Sequence, residues 1–469
     1  MTTPPPDPEP TRLVLPESSL VLLVGPSGCG KSTFARQRFL PTEVVSSDHF
    51  RAVVCDDEGN QAASQDAFTL IHEVVACRLA WRRFTVIDAT NLKAEARRPF
   101  LDIARRYHFA VCAIVFEADE ETCRRHNEGR PERLVPEGVI ARHVQLFQQN
   151  RSSLEREGYQ HLYTLRSPQE AATAVVVREP LALNRRGDAG PFDIIGDVHG
   201  CIDELRELLT LLGYRVGDRV EPPPGRKAIF VGDLCDRGPD SPAVYRLALD
   251  MIDAGHALMV VGNHDWKLLR LLKGHDVKRG QGLAETMEHL WREPPELMDR
   301  IRDFLDQGQF HYLLDGGKLV VAHAGLRQDL QGRVSARVRS FALFGDTTGR
   351  LDEHGLPVRL DWTADYRGQA LVVFGHTPTF EPLWSNNTVN IDTGCVFGGR
   401  LSALRYPERE VVSVPARRTY CDPGRRFQPT PTTEASGRDD VANDVPVNVG
   451  QAAVDAVVPK DQALVVDAE

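Results

Sequence analysis

Asp197 and His199 stand one residue apart in Gly196-Asp197-Val198-His199-Gly200, a spacing that lets a carboxylate and an imidazole hold one cation together. Asp233, in Gly232-Asp233-Leu234-Cys235-Asp236-Arg237-Gly238, can bridge two cations with its two oxygens. Asn263 in Gly262-Asn263-His264-Asp265, His323 in His323-Ala324-Gly325 and His376 in Gly375-His376-Thr377 offer neutral ligands for a second ion. Imidazole with carboxylate and amide oxygen suits Mn, Fe or Zn, and the lack of thiolates argues against a structural zinc site. A bound cation pair activates water and clamps phosphate oxygens. His264 is then the candidate general acid for a leaving oxygen, Asp236 the group that orients it, and Arg237 a bidentate phosphate clamp that lysine could not replace.

A second phosphate machine precedes these motifs. Gly25-Pro26-Ser27-Gly28-Cys29-Gly30-Lys31-Ser32-Thr33 follows the apolar run Leu-Val-Leu-Leu-Val and opens a helical stretch, the context a phosphate-cradling P-loop requires. Backbone N–H groups across Gly25, Ser27, Gly28, Cys29, Gly30 and Thr33 would cradle a nucleoside triphosphate, with ATP the expected ligand. Lys31 would reach the β and γ oxygens and Ser32 would ligate Mg²⁺. Asp48 and Arg51 follow the next apolar run. Asp48 can take the proton of an acceptor hydroxyl and Arg51 can orient the acceptor, while the competing reading of Asp48 is a helix N-cap. Asp88 in Ile87-Asp88-Ala89-Thr90-Asn91 either holds Mg²⁺ through water or caps a helix. Arg124, Arg125, Arg130 and Arg133 surround Asn127, as arginines of a lid over the γ-phosphate do, with Arg130 the catalytic candidate; the competing reading is a solvated charged helix face.

Short apolar runs at 20–25, 44–45, 85–87 and 111–116 alternate with helix-compatible stretches at 64–82, 93–106 and 137–157. That alternation predicts a parallel sheet flanked by helices. After a turn-rich segment, strands are expected at 192–195, 228–231, 258–261, 319–322, 371–374 and 389–391, five of which deliver a motif at the C-terminal end. At 469 residues two domains are the default. The expected division is a disordered N-terminus 1–12, a P-loop domain 13–178, a linker 179–191, a metal-centred domain 192–420 and a disordered acidic tail 421–469.

An apolar fraction of 42% and a charged fraction of 26% belong to an ordinary soluble protein. No run is long enough to span a membrane, the first residues lack the pattern of a signal peptide, and nine cysteines include no CxxC pair. The cytoplasm is the expected compartment, with no membrane partner. A net charge of −10 disfavours long-footprint binding to nucleic acid, although residues 428–469 carry more than half of it. Recognition of a strand end needs only local arginines.

The five motifs between Asp197 and Thr377 resemble those of the calcineurin-like, or binuclear metallophosphoesterase, superfamily, which implies an α/β domain with two packed sheets. The two modules in this order resemble bacterial polynucleotide kinase–phosphatases, RNA end-healing enzymes, over roughly residues 13–420. That resemblance implies a 5′-hydroxyl kinase with Asp48 as base and Arg51 on the acceptor strand. It implies a 2′,3′-phosphatase and cyclic phosphodiesterase with two transition-metal ions, Mn²⁺ first and Ni²⁺, Fe or Zn as alternatives. Asp197, His199 and Asp233 would hold one ion, and Asp233, Asn263, His323 and His376 the other. Asp392, in Asn390-Ile391-Asp392-Thr393-Gly394, matches a further acid of that family. The expected partners are RNA or DNA ends and a separate ligase or RNA-modifying protein, since no ligase-like Lys-x-[Asp/Asn]-Gly motif is present; homo-oligomerisation stays open. Without the family the pairing argues the same way, because cleavage leaves a 5′-hydroxyl and a 3′ or cyclic phosphate while a ligase needs the opposite ends. The rival readings are a protein Ser/Thr phosphatase or dinucleoside polyphosphate hydrolase with an NTP-sensing P-loop domain, and a non-catalytic nucleotide-switched scaffold.

Overall fold

Every residue of the strand Ser19–Val24 is buried, which is the signature of a strand covered on both faces. In the computed structural model, which describes residues 10–129, 135–278, 280–351 and 357–422, it is the centre of a five-stranded parallel sheet. The order is Val44–Ser46, Thr85–Asp88, Ser19–Val24, Ala110–Phe116, His161–Leu165. Alternate residues of the central strand feed two separate cores. Leu20 and Leu22 pack with Ile71, Val75 and Phe100 of the helices Ser64–Ala80 and Ala94–Arg106. Val21 and Leu23 pack with Phe34, Ile140 and Val144 of Lys31–Arg38 and Glu137–Asn150. The helix expected over 137–157 stops at Asn150 and continues as a 3-10 turn, Arg151–Arg156. Arg12, placed by the sequence in the N-terminal segment 1–12, opens the strand Arg12–Pro16, which pairs in parallel with Val175–Glu179, while residues 1–9 lie outside the described residues. The segment 179–191 is not a featureless linker, for it holds the short strand Asn184–Arg185. Of the expected tail, 423–469 lies outside the described residues.

One buried ion pair holds the loop after Thr85–Asp88. Arg97 is fully buried; its Nη1 donates to the Asn91 carbonyl at 2.7 Å and its Nε to Glu157 Oε2 at 2.7 Å. Burial works against the Glu157 carboxylate, yet the hydrogen bonds of Arg97 and Ser153 hold its pKa below the usual range. Arg97→Met removes the partner and is expected to cost about 3–5 kcal/mol, read as a lower urea midpoint. Because the folded pKa is depressed, the pair contributes fully above the unfolded carboxylate pKa. That contribution is lost as pH falls through the folded value, so wild type and variant converge in acid.

The chain divides into Met1–Arg186 with Asp329–Ser340, and Gly187–Gln328 with Phe341–Glu469. The second unit contains two sheets. One runs Ala257–Met259, Lys227–Phe230, Phe192–Ile195, Arg400–Tyr406, Glu410–Pro415, its first three strands parallel. The other includes, in order, Leu383–Ser385, Thr388–Asn390, Leu371–Phe374, Leu319–Ala322 and His311–Leu314, with the middle three parallel. Ile194, Ile229, Val321, Val373 and Val389 meet in one core drawn from both sheets. The alternate residues Ile195, Ala228 and Phe230 face a second core with the helices Ile202–Leu211 and Ser241–Asp253. Parallel strands share one C-terminal edge, so both sheets present their motif loops along such an edge.

Candidate functional site

Left-handed backbone marks the loops that carry the candidate metal ligands. His199, Asp233, Asp236, Arg237 and His376 all have φ between 45° and 73°, a conformation that costs a non-glycine residue on the order of 1–3 kcal/mol and persists where its surroundings over-determine it. The surroundings are visible in Asp265, which is fully buried. Its Oδ2 accepts from Asp233 N at 2.7 Å and Gly262 N at 2.9 Å, and its Oδ1 from Leu234 N at 3.1 Å and the Tyr245 hydroxyl at 2.6 Å. One carboxylate thus ties the loop carrying Asp233 to the loop carrying Asn263. Gly262 itself must lack a side chain, because a Cβ there would collide with the Asp233 carboxylate and backbone N. Asp265→Asn is expected to lower metal affinity about 10–100-fold, measured by metal titration of the folded protein.

Two close trios result. The ligand atoms of His199, Asp233 and His264 lie within 4.8 Å of one another, as do those of Asp233, His323 and His376. Asn263 Oδ1 joins the second at 2.9 Å from His323 Nε2 and 2.8 Å from His376 Nδ1. Asp233 belongs to both, the position of a bridging ligand. Asp197, expected beside His199 and Asp233, is in neither trio; the His376 N–H holds its carboxylate at 3.1 Å. Buried backbone carbonyls fix two of the rings, Cys235 O lying 2.7 Å from His199 Nδ1 and Val231 O 3.0 Å from His323 Nδ1, which leaves each Nε2 facing the centre.

The donor set fits divalent cations. Burial, then the repulsion of Asp392 and Asp233, pushes the Asp197 carboxyl well above its usual range, and burial raises Asp392 to about 6. Burial drives the His323 pKa down to about 3, so its imidazole is neutral, as a ligand must be. His376 Nε2 is buried without a hydrogen-bond partner. Clustered carboxylates, neutral imidazoles and an orphaned ring nitrogen are what a bound cation would satisfy.

Around this centre, His264 Nδ1 lies 2.6 Å from Asp236 Oδ2. Thr286 Oγ1 donates to Asp236 Oδ1 at 2.7 Å. Burial opposes ionisation of Asp236, but the hydrogen bond and charge of His264, with Thr286, hold its pKa below the usual carboxylate range. Arg237 Nη1 is 3.1 Å from His199 Nε2, and its guanidinium lies 5.4 Å from the Phe397 ring centroid. Asp392 is buried and its Oδ1 accepts from Gly394 N at 3.0 Å. Asp265 and Thr286 went unassigned in the sequence. Asp265 had a signal, an acid three residues past the helix N-cap Gly262; Thr286, alone on the helix Gln281–Trp291, had none.

In the first unit Gly25, Gly28 and Gly30 turn the loop onto the N-terminus of Lys31–Arg38. Gly28 has φ 84° and packs against the Cys123 carbonyl, so no other residue fits there. Lys31 Nζ donates to the carbonyls of Gly25 and Pro26 at 2.8 Å each. An open pocket is lined by Ser27, Gly28, Gly30, Lys31, Ser32, Ser47, Asp48, Asp88, Ala89, Thr90, Asn127 and Val135. The helix N-cap is Ser46, so Asp48 is not the cap. Asp88 closes its strand and reaches the pocket with Asp48 and Lys31. Arg51 does not line the pocket: it is buried, ion-paired with Asp48, and its Nε donates to Glu58 O at 2.8 Å. It therefore positions Asp48. Arg124 pairs with Glu120 at 2.5 Å and Glu137 at 3.4 Å, and Arg125 Nη2 donates to Thr122 Oγ1 at 3.3 Å. Asn127 clasps Val135 N and O at 3.0 and 2.8 Å. Arg130 and Arg133 lie outside the described residues.

A P-loop kinase-like unit and a two-sheet unit whose loops gather carboxylates and imidazoles into two trios sharing Asp233 define the class. Residues 20–154 match the profile of an AAA domain, and residues 190–406 that of the calcineurin-like phosphoesterases. The chain is 47% identical over 244 residues, 51% of its length and 98% of the relative's, to bis(5′-nucleosyl)-tetraphosphatase PrpE [asymmetrical] of Anoxybacillus flavithermus. It is 44% identical over 243 residues, 51% of its length and 99% of the relative's, to the Bacillus subtilis protein of that description. The chain belongs to the calcineurin-like phosphoesterase family, whose chemistry depends on divalent metal ions. Among the described residues no helix is long and apolar enough to cross a membrane.

Proposed function

We propose that residues 192–420 hydrolyse the phosphoanhydride chain of dinucleoside polyphosphates, and that the P-loop unit binds ATP with Mg²⁺. The observation that carries this reading is identity close to one half along almost the full length of proteins described as asymmetrical bis(5′-nucleosyl)-tetraphosphatases. Asp197, His199, Asp233, Asn263, His323 and His376 would hold two divalent cations, Mn²⁺ first among them, which supply Lewis acidity toward water and the phosphate oxygens. Arg237 holds the attacked phosphate bidentately. His264 faces the departing oxygen as a hydrogen-bond donor, able to protonate it where the leaving group is basic, and Asp236, itself held by Thr286, keeps that ring in register. Asp392, buried behind Asp197, adds negative charge that favours cation binding.

A second reading has its own support. Asp48 lines the P-loop pocket together with Lys31 and Asp88, with Arg51 fixing its carboxylate. A base so placed serves transfer of a γ-phosphate to a hydroxyl, for which nucleotide sensing alone has no use. A kinase of nucleic-acid 5′ ends joined to a 3′-end phosphatase is the corresponding activity, with RNA ends as partner.

One experiment separates the two. The full chain with Mn²⁺ is given diadenosine tetraphosphate in one reaction, and a 5′-hydroxyl, 3′-phosphate RNA with ATP in another. Unsymmetrical cleavage to ATP and AMP, with no label reaching the RNA 5′ end, supports the hydrolase. An inert tetraphosphate with an RNA healed at both ends would replace that reading with the second.

A further inference from the structure

Outside the metal centre the second unit encloses another set of ligand atoms. Cys201 is the N-cap of the helix Ile202–Leu211, Glu204 lies in its first turn, and Cys395 opens the 3-10 turn Cys395–Phe397. Their sulfur and oxygen atoms all lie within 4.8 Å of one another. Cys201 and Glu204 are 0% exposed and Cys395 1%. Glu204 Oε1 accepts from Arg417 N at 2.9 Å and from the Tyr420 hydroxyl at 2.7 Å. Its Oε2 is buried without a hydrogen-bond partner.

Two thiols alone would be ordinary core packing. The carboxylate is what packing does not explain. A buried oxygen left bare is costly, and more so when charged. A second thiol from a distant loop, brought to the same oxygen, makes three donors of the kind a soft metal takes.

We propose that Cys201, Glu204 and Cys395 form a third metal site, which takes a thiophilic divalent cation of the zinc class. Metal–sulfur bonds of about 2.3 Å and metal–oxygen bonds of about 2.0–2.2 Å are compatible with three donor atoms that lie within 4.8 Å of one another. Binding releases the two thiol protons to water and leaves a dithiolate–carboxylate cage around the dication. Arg417 N–H and Tyr420 O–H stay on Oε1 as the outer partners that orient Glu204. The ion would staple the loop that carries His199 to the loop that carries Asp392, because Cys201 and Cys395 continue those loops. Thiolates here and only nitrogen and oxygen donors at the Asp233 centre would let one chain sort two kinds of metal.

The test is cobalt substitution in the full-length, metal-stripped protein. Thiolate-to-cobalt charge transfer absorbs in the near ultraviolet, and the Asp233 centre, lacking sulfur, adds nothing to it. The band is expected in wild type and in Asp233→Ala, and is expected to be lost in both Cys201→Ser and Cys395→Ser. Its absence from folded wild type, or its survival in both serine variants, overturns the site. Should the serine variants fail to fold, X-ray absorption on wild type loaded with Mn²⁺ and then Zn²⁺ decides: sulfur neighbours at about 2.3 Å support the site, and nitrogen and oxygen neighbours alone refute it.

Discussion

His264→Ala is expected to lower kcat for an alkyl phosphate ester by about 10²–10⁴, the usual worth of a positioned proton donor. The effect should shrink as the leaving group becomes more acidic, because p-nitrophenolate or a nucleoside triphosphate departs without being protonated. A plot of log kcat against leaving-group pKa is therefore flatter for wild type than for the variant. His264 Nδ1 lies 2.6 Å from Asp236, with the backbone N–H of the same residue on Asp233 at 2.9 Å, so the ring is aimed from two sides. Asp236→Asn removes the orienting charge and is expected to cost about 10–100-fold. An equal loss for every leaving group would mean that His264 acts on the metals and not on the leaving oxygen. Its place in a trio with His199 and Asp233 makes that a real alternative.

On the reading of the P-loop unit as a kinase, Lys31→Ala should lower ATP-dependent phosphotransfer by about 10²–10³ or more, since a preorganised charge at the transferring phosphate is lost. Asp48→Asn, which keeps the shape and loses the base, is expected to cost about 10²–10⁴. Neither should change hydrolysis of p-nitrophenyl phosphate, because the second unit has its own sheets, core and candidate metal ligands. Measuring γ-phosphate transfer and ester hydrolysis on the same preparations checks both halves. A Lys31 variant that loses both activities would show that the units are not independent.

The strands that carry chemistry were legible because a motif follows each buried apolar run, and the backbone leaves a parallel strand only at its end. Phe192–Ile195, Leu319–Ala322 and Leu371–Phe374 lie where the pattern puts them. The strands Arg400–Tyr406 and Glu410–Pro415 were missed, since they carry no motif and their charged ends break the run. Asp233 could be assigned from its glycine-flanked setting. Thr286 could not, because its hydroxyl matters only through an aspartate fifty positions away.

The amino-acid sequence by itself determined the two machines, the order in which they occur and the residue types at each. Those features are local, being glycine where the chain turns tightly, a carboxylate or imidazole at a strand end, and apolar alternation between. Only the tertiary structure decided which ligand atoms meet, that Asp197 faces the His376 backbone, that Arg51 pairs with Asp48, and that Cys395 comes beside Cys201 and Glu204 from far along the chain. Such meetings depend on how strands and helices far apart in the chain stack, and no local spacing encodes that distance.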